Sequence, residues 1–288
     1  MDSSLLNASL VANDKLPYIN CNNYFKYALF GSVLSAIFFI LGLPVTLLIL
    51  WELCKKSHQK GSNSFFMINT VIVNLAYLLI VPFSVGNSMV WHYRPFECID
   101  SLMDSFILCS RPLFMSCVCV DCYFAVVHPI AYRTNKKMVI RKAAAVIVWL
   151  STMAFFSHKC AKMFIYPPPL NSGPLLFSLP VIIFCDVTVL RALRKTDASK
   201  RTIHPQKKRA LHTIFSSLVL TSVVYIPPVI IFSLANMMPM NIESYDCMVM
   251  VFGFMFSMSG CVIMPVLYLE TIGKLDNLKD LLKKYTCF

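Results

Sequence analysis

Seven separate stretches of mostly apolar residues dominate this sequence and restrict the folds open to it. A hydrocarbon core about 30 Å thick is crossed by a helix of roughly 20 apolar residues. The chain has 288 residues, of which 57% are hydrophobic and 14% charged, so a soluble domain could not bury its apolar surface. We therefore predict an all-α membrane protein, a seven-transmembrane helix bundle. The predicted spans are residues 28–51, 64–86, 99–122, 142–158, 174–192, 211–235 and 246–269.

The basic residues concentrate on one side of the predicted membrane. The net charge is +12, and 20 of the 26 Lys and Arg residues fall in the loops and tail that share one side. Cytoplasmic loops are enriched in Lys and Arg, so this side is predicted to be the inner one, with the C-terminus cytoplasmic and the N-terminus extracellular. The glycosylation sequon at Asn7 agrees. Topology and attraction to membrane lipids explain most of the charge, and we expect no nucleic-acid partner.

Three short motifs lie in the third, sixth and seventh segments. The third ends in Asp121-Cys122-Tyr123, the sixth contains Tyr225-Ile226-Pro227, and the seventh contains Met264-Pro265-Val266-Leu267-Tyr268. They resemble the Asp-Arg-Tyr, Trp-x-Pro and Asn-Pro-x-x-Tyr motifs of rhodopsin-like (class A) G-protein-coupled receptors. A proline in an apolar helix is ordinary by itself, but the set occurs in the family's order. The chain is identified as a divergent member of that family.

The resemblance implies a plasma-membrane receptor that transduces an extracellular ligand signal to a heterotrimeric G protein. A ligand would act by favouring one arrangement of the helices. Residues 1–27 would form the extracellular N-terminus, 28–269 the receptor domain, and 270–288 a cytoplasmic eighth helix and tail. A small anion, nucleotide, lipid or peptide ligand is favoured by analogy alone. No catalytic constellation is visible, so we expect no enzyme activity and no cofactor.

The segment that follows the seventh span has an amphipathic pattern. Apolar residues recur at intervals of three and four between Ile272 and Leu282, with Lys and Asp between them. This pattern predicts a short interfacial helix, similar to the family's eighth helix. Cys287 would be a site of palmitoylation.

The activation switch departs from the family pattern at linked positions. Cys122 replaces the family's arginine, and a thiol cannot make the charge-assisted bonds of a guanidinium. Met264 replaces the asparagine of the seventh helix. Asp121 loses its neighbour and would be partly protonated or pair with Arg133, so coupling would be weak or the balance of resting and active states changed. The switch positions are Asp121, Cys122, Tyr123, Pro227, Pro265 and Tyr268.

The family's sodium site is also altered. Thr46 stands where the first helix of the family has Asn, and Asn74 replaces the Asp of the second helix. The third-helix position that supplies a serine aligns with Arg111, which would repel a cation. We therefore expect no sodium site and place the guanidinium in that space. Asn74 and Asp104, which lies two turns from Arg111 on the same face, are its candidate partners.

Three residues are candidate ligand contacts, namely Asp104, Arg111 and Tyr225. Asp104 aligns, within one residue, with the carboxylate by which amine receptors hold an ammonium group. It would otherwise be an internal partner of Arg111 or Arg94. Arg111 would bind an anionic ligand or act as a structural buried cation. The sequence leaves both alternatives open.

The twelve cysteines divide by location. Half of them lie in predicted helices, where a free thiol is a small apolar side chain. Cys21, Cys98, Cys160 and Cys247 lie outside or at outer helix ends, in the oxidising compartment. Three pairings are open to them, and we favour Cys98–Cys160 and Cys21–Cys247. No Cys/His spacing indicates a metal site.

Two other classes of protein compete with a signalling receptor. A transporter or channel would contain repeats and several ionisable groups along a path, whereas only Asp104, Arg111 and Asp186 lie away from the ends of the spans. A non-signalling pseudo-receptor, acting as a ligand sink or as a partner in a receptor dimer, is favoured by Cys122 and Met264. Ligand uptake without a G-protein response would distinguish it.

Overall fold

The computed structural model describes residues 24–57, 65–91, 97–128, 132, 138–161, 173–197, 205–237 and 250–272, and in these ranges the regular structure is helical. Seven of the helices are long and apolar enough to cross a membrane, which confirms the predicted fold class. The N-terminal region before Tyr24 and the predicted eighth helix after Ile272 lie outside the described residues. The division of the chain into an extracellular part, a bundle and a tail therefore stays a prediction.

The seven helices differ in regularity. Five are uninterrupted: α1 is Tyr24–Ser57, α2 Phe65–Gly86, α4 Met138–Ala161, α5 Gly173–Asp197 and α7 Met250–Ile272. The other two each consist of two α segments around a five-residue π turn: α3 is Glu97–Ser105, Phe106–Ser110 and Arg111–Val127, and α6 is Pro205–Leu220, Thr221–Tyr225 and Ile226–Met237. A third π turn, Asn87–Trp91, follows α2 directly.

Several helices continue beyond the apolar segments that predicted them. α5 extends to Asp197 and α6 begins at Pro205, whereas the apolar segments end at 192 and begin at 211. α3 likewise continues to Val127, five residues past its predicted end. The reason is that hydropathy marks the hydrocarbon region only. A helix that leaves the membrane keeps its internal hydrogen bonds, and Lys and Arg are good helix formers.

Helix α3 lies at the centre of the bundle. In the apolar stretch of its membrane span 67% of the residues are buried, against 22% in α1 and α4. It packs against α2, α4, α5, α6 and α7. On the α4 side, the Trp149 ring meets Phe106 and Phe114 edge-on, with centroids 6.3 and 5.8 Å apart. The hydroxyls of Ser110 and Thr152 are 2.7 Å apart. A residue of α3 can therefore touch several helices at once.

The π turns of α3 and α6 accommodate prolines. Pro112 has no backbone N–H, so the carbonyl of Leu108 cannot receive the usual helical hydrogen bond. The chain widens just before it, and the N–H of Arg111 donates to the carbonyl of Phe106, five residues earlier. In α6, Pro227 and Pro228 follow a similar π turn. These wide turns set the directions of the side chains that follow them, Arg111 among them.

Polar and apolar residues are distributed as in a membrane-embedded bundle. The outward surface carries large apolar side chains, including Ile40, Trp51 and Leu150, which would face lipid. Polar and charged side chains such as Asn74 and Arg111 are buried. Intramembrane ionisable groups are expensive in lipid and lie where other protein groups can satisfy them. The interior is therefore where the polar interactions of this protein are concentrated.

Helices α6 and α7 are in close contact at Gly253, and this contact tests the packing. A Cβ atom at Gly253 would lie 2.6 Å from Cζ of Phe232, whose ring is fully buried and packs against Phe254. We predict that Gly253→Ala lowers the free energy of unfolding by about 1–3 kcal/mol through overpacking. The measurement is the thermal midpoint of the purified protein in detergent.

The matched control is Gly31→Ala in α1, where nothing lies within 4 Å of the added atom. Because alanine is the better helix former, the control should leave the midpoint unchanged or raise it slightly. Equal loss of stability in both variants would contradict the packing described for α6 and α7.

Candidate functional site

The Arg111 side chain is buried in the middle of the bundle, with 1% of its surface exposed. Its Nη1 donates to the carbonyl oxygen of Ser257 at 2.6 Å. Its Nη2 donates to Oδ1 of Asn74 and to the sulfur of Cys261, both at 2.8 Å. All three acceptors are neutral, and they belong to α2 and α7. One guanidinium on α3 thus ties three helices together.

An amide at position 74 suits this arrangement better than a carboxylate. Oδ1 of Asn74 accepts from Arg111, while its Nδ2 donates to the carbonyl oxygen of Cys261 at 3.2 Å. A carboxylate has no N–H to donate and could fill only the first of these roles. Arg111, Asn74 and Cys261 therefore close a ring of hydrogen bonds. We call this ring, with the Ser257 carbonyl, the central tether.

Glycine 260 makes room for the guanidinium. A Cβ atom there would lie 2.8 Å from Nη1 of Arg111 and 2.9 Å from Cγ1 of Val224. The central tether therefore packs directly against the backbone of α7. Sequence reasoning missed Gly260, Ser257 and Cys261. The available signal was a glycine inside an apolar helix, which often marks a close approach of another group.

The structure places the altered sodium-site residues in two environments. Asn74 and Arg111 are in contact, with the guanidinium in the space between α2, α3 and α7. Thr46 of α1 is fully buried, and its hydroxyl has no hydrogen-bond partner among the described residues. The loss of a sodium site stays a prediction that this geometry supports.

The three candidate ligand residues are not equally accessible. Asp104 is half-buried, two turns along α3 from Arg111. Tyr225 is buried in the π turn of α6, and its hydroxyl has no hydrogen-bond partner among the described residues. Arg111 already donates to α2 and α7, so an anionic ligand would have to displace these contacts. This geometry favours the structural role of Arg111, and the ligand roles stay predictions.

At the inner end of α3, Asp121 forms an ion pair with α4. Arg141 donates from Nε to Oδ1 at 3.0 Å, and from Nη2 to Oδ1 at 2.8 Å and Oδ2 at 2.9 Å. The two side chains are 17% and 14% exposed. Pairing with Arg133 is one of the two alternatives that the sequence leaves open, and Arg133 lies outside the described residues. Because α4 begins at Met138, its first turn brings Arg141 to the end of α3.

Tyr132 completes this cluster from the connection between α3 and α4. Its hydroxyl donates to Oδ2 of Asp121 at 3.2 Å and accepts a hydrogen bond from Arg141, whose guanidinium lies 5.3 Å from the centre of the tyrosine ring. Burial, and then the Asp121 carboxylate, raise the pKa of Tyr132 to about 12, so the hydroxyl remains a donor at neutral pH. We call Asp121, Tyr132 and Arg141 the inner clamp.

Cys122, the next residue along α3, lies near Asp121 and near a buried acid on α5, Asp186. The Asp186 side chain is only 2% exposed. Cys119 of α3 and Ser217 of α6, whose Sγ and Oγ are 3.2 Å apart, lie within hydrogen-bonding reach of Asp186. Oδ2 of Asp186 has no partner among the described residues. From the sequence, Asp186 is recognisable only as an ionisable group within a span.

The other switch residues lie in separate clusters. Tyr123 packs against Phe184 of α5, with centroids 6.2 Å apart. Tyr268 lies with apolar residues of α1 and α2. Pro227 follows the π turn of α6, and Pro265 is buried within α7. Their joint role as a switch stays a prediction.

The modification sites are only partly described. Asn7, Cys21, Cys247 and Cys287 lie outside the described residues. Cys160 is disulfide-bonded, but the side chain of Cys98 is not described, so both pairings stay predictions. Within the described part of the chain, no group of three or more His, Cys, Asp or Glu side chains could hold a metal ion.

Comparison with known proteins finds receptors. The family model for "7 transmembrane receptor (rhodopsin family)" matches residues 45–161. The human lysophosphatidic acid receptor 4 is 25% identical over 233 residues, which cover 70% of this chain and 62% of that receptor. The mouse chemokine XC receptor 1 is 23% identical over 223 residues, covering 72% and 67%. The Cavia porcellus type-1 angiotensin II receptor is 29% identical over 121 residues, covering 41% and 34%.

The central tether leads to a prediction about sodium. We predict that the wild-type protein has the same thermal midpoint in sodium chloride and in choline chloride, because a guanidinium fills the space and repels a cation. Asn74→Asp combined with Arg111→Ser adds a carboxylate and removes that charge. This double variant should melt about 2–4 °C higher in sodium, as ~1 kcal/mol of ion binding would give.

The control pairs Arg111→Ser with Asn69→Asp. Asn69 is on α2 as well, but it accepts from Nε1 of Trp149 on α4 and so faces another helix. This control should show no sodium dependence. A wild-type midpoint that rises with sodium would contradict the prediction.

The inner clamp is tested by removing its cation. Hydrogen bonds to charged groups contribute more than neutral ones, so we predict that Arg141→Gln lowers the free energy of unfolding by about 1–2 kcal/mol. Arg141→Lys should recover only part of this loss, since an ammonium cannot bind a carboxylate through a planar fork. Lys142→Gln removes the same charge from the next, exposed residue and should change stability by less than about 0.5 kcal/mol. Equal effects of the two glutamine variants in a thermal melt would overturn the assignment.

Proposed function

Because this chain is a divergent member of the rhodopsin-like receptor family, we propose that it transduces an extracellular ligand signal across the plasma membrane to a heterotrimeric G protein. The observation that carries the proposal is a bundle of seven membrane-spanning helices whose sequence matches receptors named for lysophosphatidic acid, chemokine and angiotensin II. The matched region spans 62% of the first of these receptors, so the activity of the whole protein is part of the proposal.

The chain is a multi-pass membrane protein, and the finer statements about its location belong to the proposal. The basic loops and the Asn7 sequon support an extracellular N-terminus and a cytoplasmic C-terminus. The same basic inner surface would bind anionic lipid. The function proposed is that of a receptor and not of an enzyme.

The described contacts support movement of α6 relative to the other helices. The central tether joins α2, α3 and α7, and the inner clamp joins α3 to α4. By contrast, α6 packs on α3 through apolar residues such as Leu220 and Val224, and through a thiol–hydroxyl contact. Shifting α6 therefore breaks fewer polar interactions than shifting the tied helices. A ligand that binds better to one α6 position would shift the population toward it.

We place the ligand site between the outer halves of α3, α5, α6 and α7. The π turn and the two prolines of α6 lie on the path from that site to the inner end. The names of the three relatives state a lipid, a chemokine and a peptide, which favours a lipid or a peptide ligand over a nucleotide or a small anion. Asp104 and Tyr225 are the proposed contacts.

One observation favours a second candidate, a pseudo-receptor that binds ligand or a second receptor without signalling. Position 122 carries a thiol where the family has the arginine that reaches the G protein. The structure adds that Asp121 is already paired with Arg141, so no other guanidinium is needed to neutralise it. A signalling receptor would have to couple by other contacts.

Basal G-protein activation in cells expressing matched surface amounts of each variant separates the two candidates. We predict activity in the wild type above that of untransfected cells. Cys122→Arg should lower it by up to about tenfold, because the new cation would pair with Asp186 across α3 and α5, and ~1.4 kcal/mol shifts a two-state equilibrium that far.

Two control variants accompany this measurement. Cys122→Ser keeps the size and neutrality of the side chain and should retain activity. Cys54→Arg adds the same charge at an exposed cysteine near the inner end of α1 and should also retain it. A silent wild type whose activity appears in Cys122→Arg would contradict the proposal and establish the pseudo-receptor.

A further inference from the structure

We propose that Asp186 is the acceptor site for a cation that enters from the inner side when α5 and α6 separate, namely an Arg or Lys side chain of the inner partner. The proposal rests on the receptor function above and names the chemistry by which the partner is bound. The proposed coupling site is a carboxylate, so its charge is opposite to that of the arginine that the family motif has at position 122.

The first support is an acceptor that is buried and incompletely used. The Asp186 side chain is 2% exposed, and Oδ2 has no hydrogen-bond partner among the described residues. Ionisable groups inside a membrane are costly and usually have a cation, a water-filled path or a functional role. Oδ2 is therefore available for a further hydrogen bond or ion pair.

The second support is the set of groups that surround the carboxyl. The thiol of Cys119 on α3 and the hydroxyl of Ser217 on α6 lie within hydrogen-bonding reach of it, and Cys122 lies near it on α3. These groups are neutral and small. They leave the positive charge to be supplied by another molecule, and they place little bulk in its way.

The third support is depth. Asp186 lies seven residues from Leu193, where the α5 span ends, which is about 10 Å at 1.5 Å per residue. Cys122 lies five residues from the end of the α3 span at Val127, or about 8 Å. Arg and Lys side chains reach such depths with their charge at the tip and an apolar stem along the way. A partner inserted at the inner end could thus reach the carboxyl.

The fourth support is the position of the site at the interface that moves. Ser217 belongs to α6, whereas Asp186 belongs to α5, and their contact must open if α6 swings away. The central tether and the inner clamp involve other helices and would be unaffected. The same motion that creates space at the inner end therefore uncovers the unpartnered oxygen.

The experiment is a mutant cycle in which stability and coupling are both measured. Asp186→Asn keeps the shape but removes the charge. We expect its thermal midpoint to be unchanged or higher, because a buried carboxyl without a cation is unfavourable, while G-protein activation falls at least about tenfold. Asp186→Glu should recover part of the coupling. A purely structural role predicts instead that stability and coupling fall together, and that result would overturn the proposal.

Supplying the cation from within the chain gives a second, independent arm. Cys122→Arg should raise the thermal midpoint of the otherwise wild-type protein. The same substitution should not raise the midpoint of the Asp186→Asn variant. No rise in the midpoint, or the same rise in both backgrounds, would show that Asp186 does not accept a cation at this site. This arm uses the purified protein in detergent and needs no G protein, so it gives a result even if the wild type does not signal.

The source of the cation is distinguished by a titration with salts. A midpoint that rises with sodium or potassium in the wild type but not in Asp186→Asn would assign the site to an inorganic ion and overturn the assignment to a partner side chain. A coupling defect in Asp186→Asn with no salt dependence in either protein supports it.

Discussion

A single buried guanidinium organises the middle of this bundle. A cation in the membrane interior is tolerated only where fixed dipoles and hydrogen-bond acceptors surround it, and Arg111 obtains them from Asn74, Ser257 and Cys261. Several local features are explained by this requirement. Asn74 must be an amide to accept and donate at once, and Gly260 must lack a side chain. The π turn before Arg111, which accommodates Pro112, sets the direction from which the side chain enters. Helices α2, α3 and α7 consequently form one unit.

The other charges of the bundle are arranged around that unit. Asp121 obtains its cation from α4, through a geometry that uses both carboxylate oxygens. Asp186 has no such partner among the described residues and lies near Cys122. The family motif has an arginine at the inner end of α3, where this chain has the neutral Cys122. Its buried arginine, Arg111, lies in the middle of α3 instead, and the acidic Asp186 lies near Cys122. Within the described residues, α6 takes part in neither the central tether nor the inner clamp, which agrees with its proposed movement.

Some parts of this arrangement follow from local patterns, and others do not. The seven spans could be predicted because the length of an apolar run is a local property. The place of Arg111 between α2, α3 and α7 could be inferred from its alignment with a known ion site. The pairing of Arg141 with Asp121 could not be inferred, because it depends on where α4 begins relative to the end of α3. The hydrophobic periodicity of the sequence does not determine that distance. The role of Gly260 depends on a side chain of another helix, and a glycine in an apolar helix has several explanations.

The sequence by itself determined how many times the chain can cross a membrane, which residues are too polar to face lipid, and which positions depart from the receptor family. These are properties of composition and order, because the free energy of transfer from water to the membrane depends on each segment separately. Only the tertiary structure decided the partners of the buried polar groups: Ser257 and Cys261 for Arg111, Arg141 for Asp121, and the thiols beside Asp186. A hydrogen bond requires two groups within about 3 Å and aligned, and helices distant in sequence meet that condition only once they are packed.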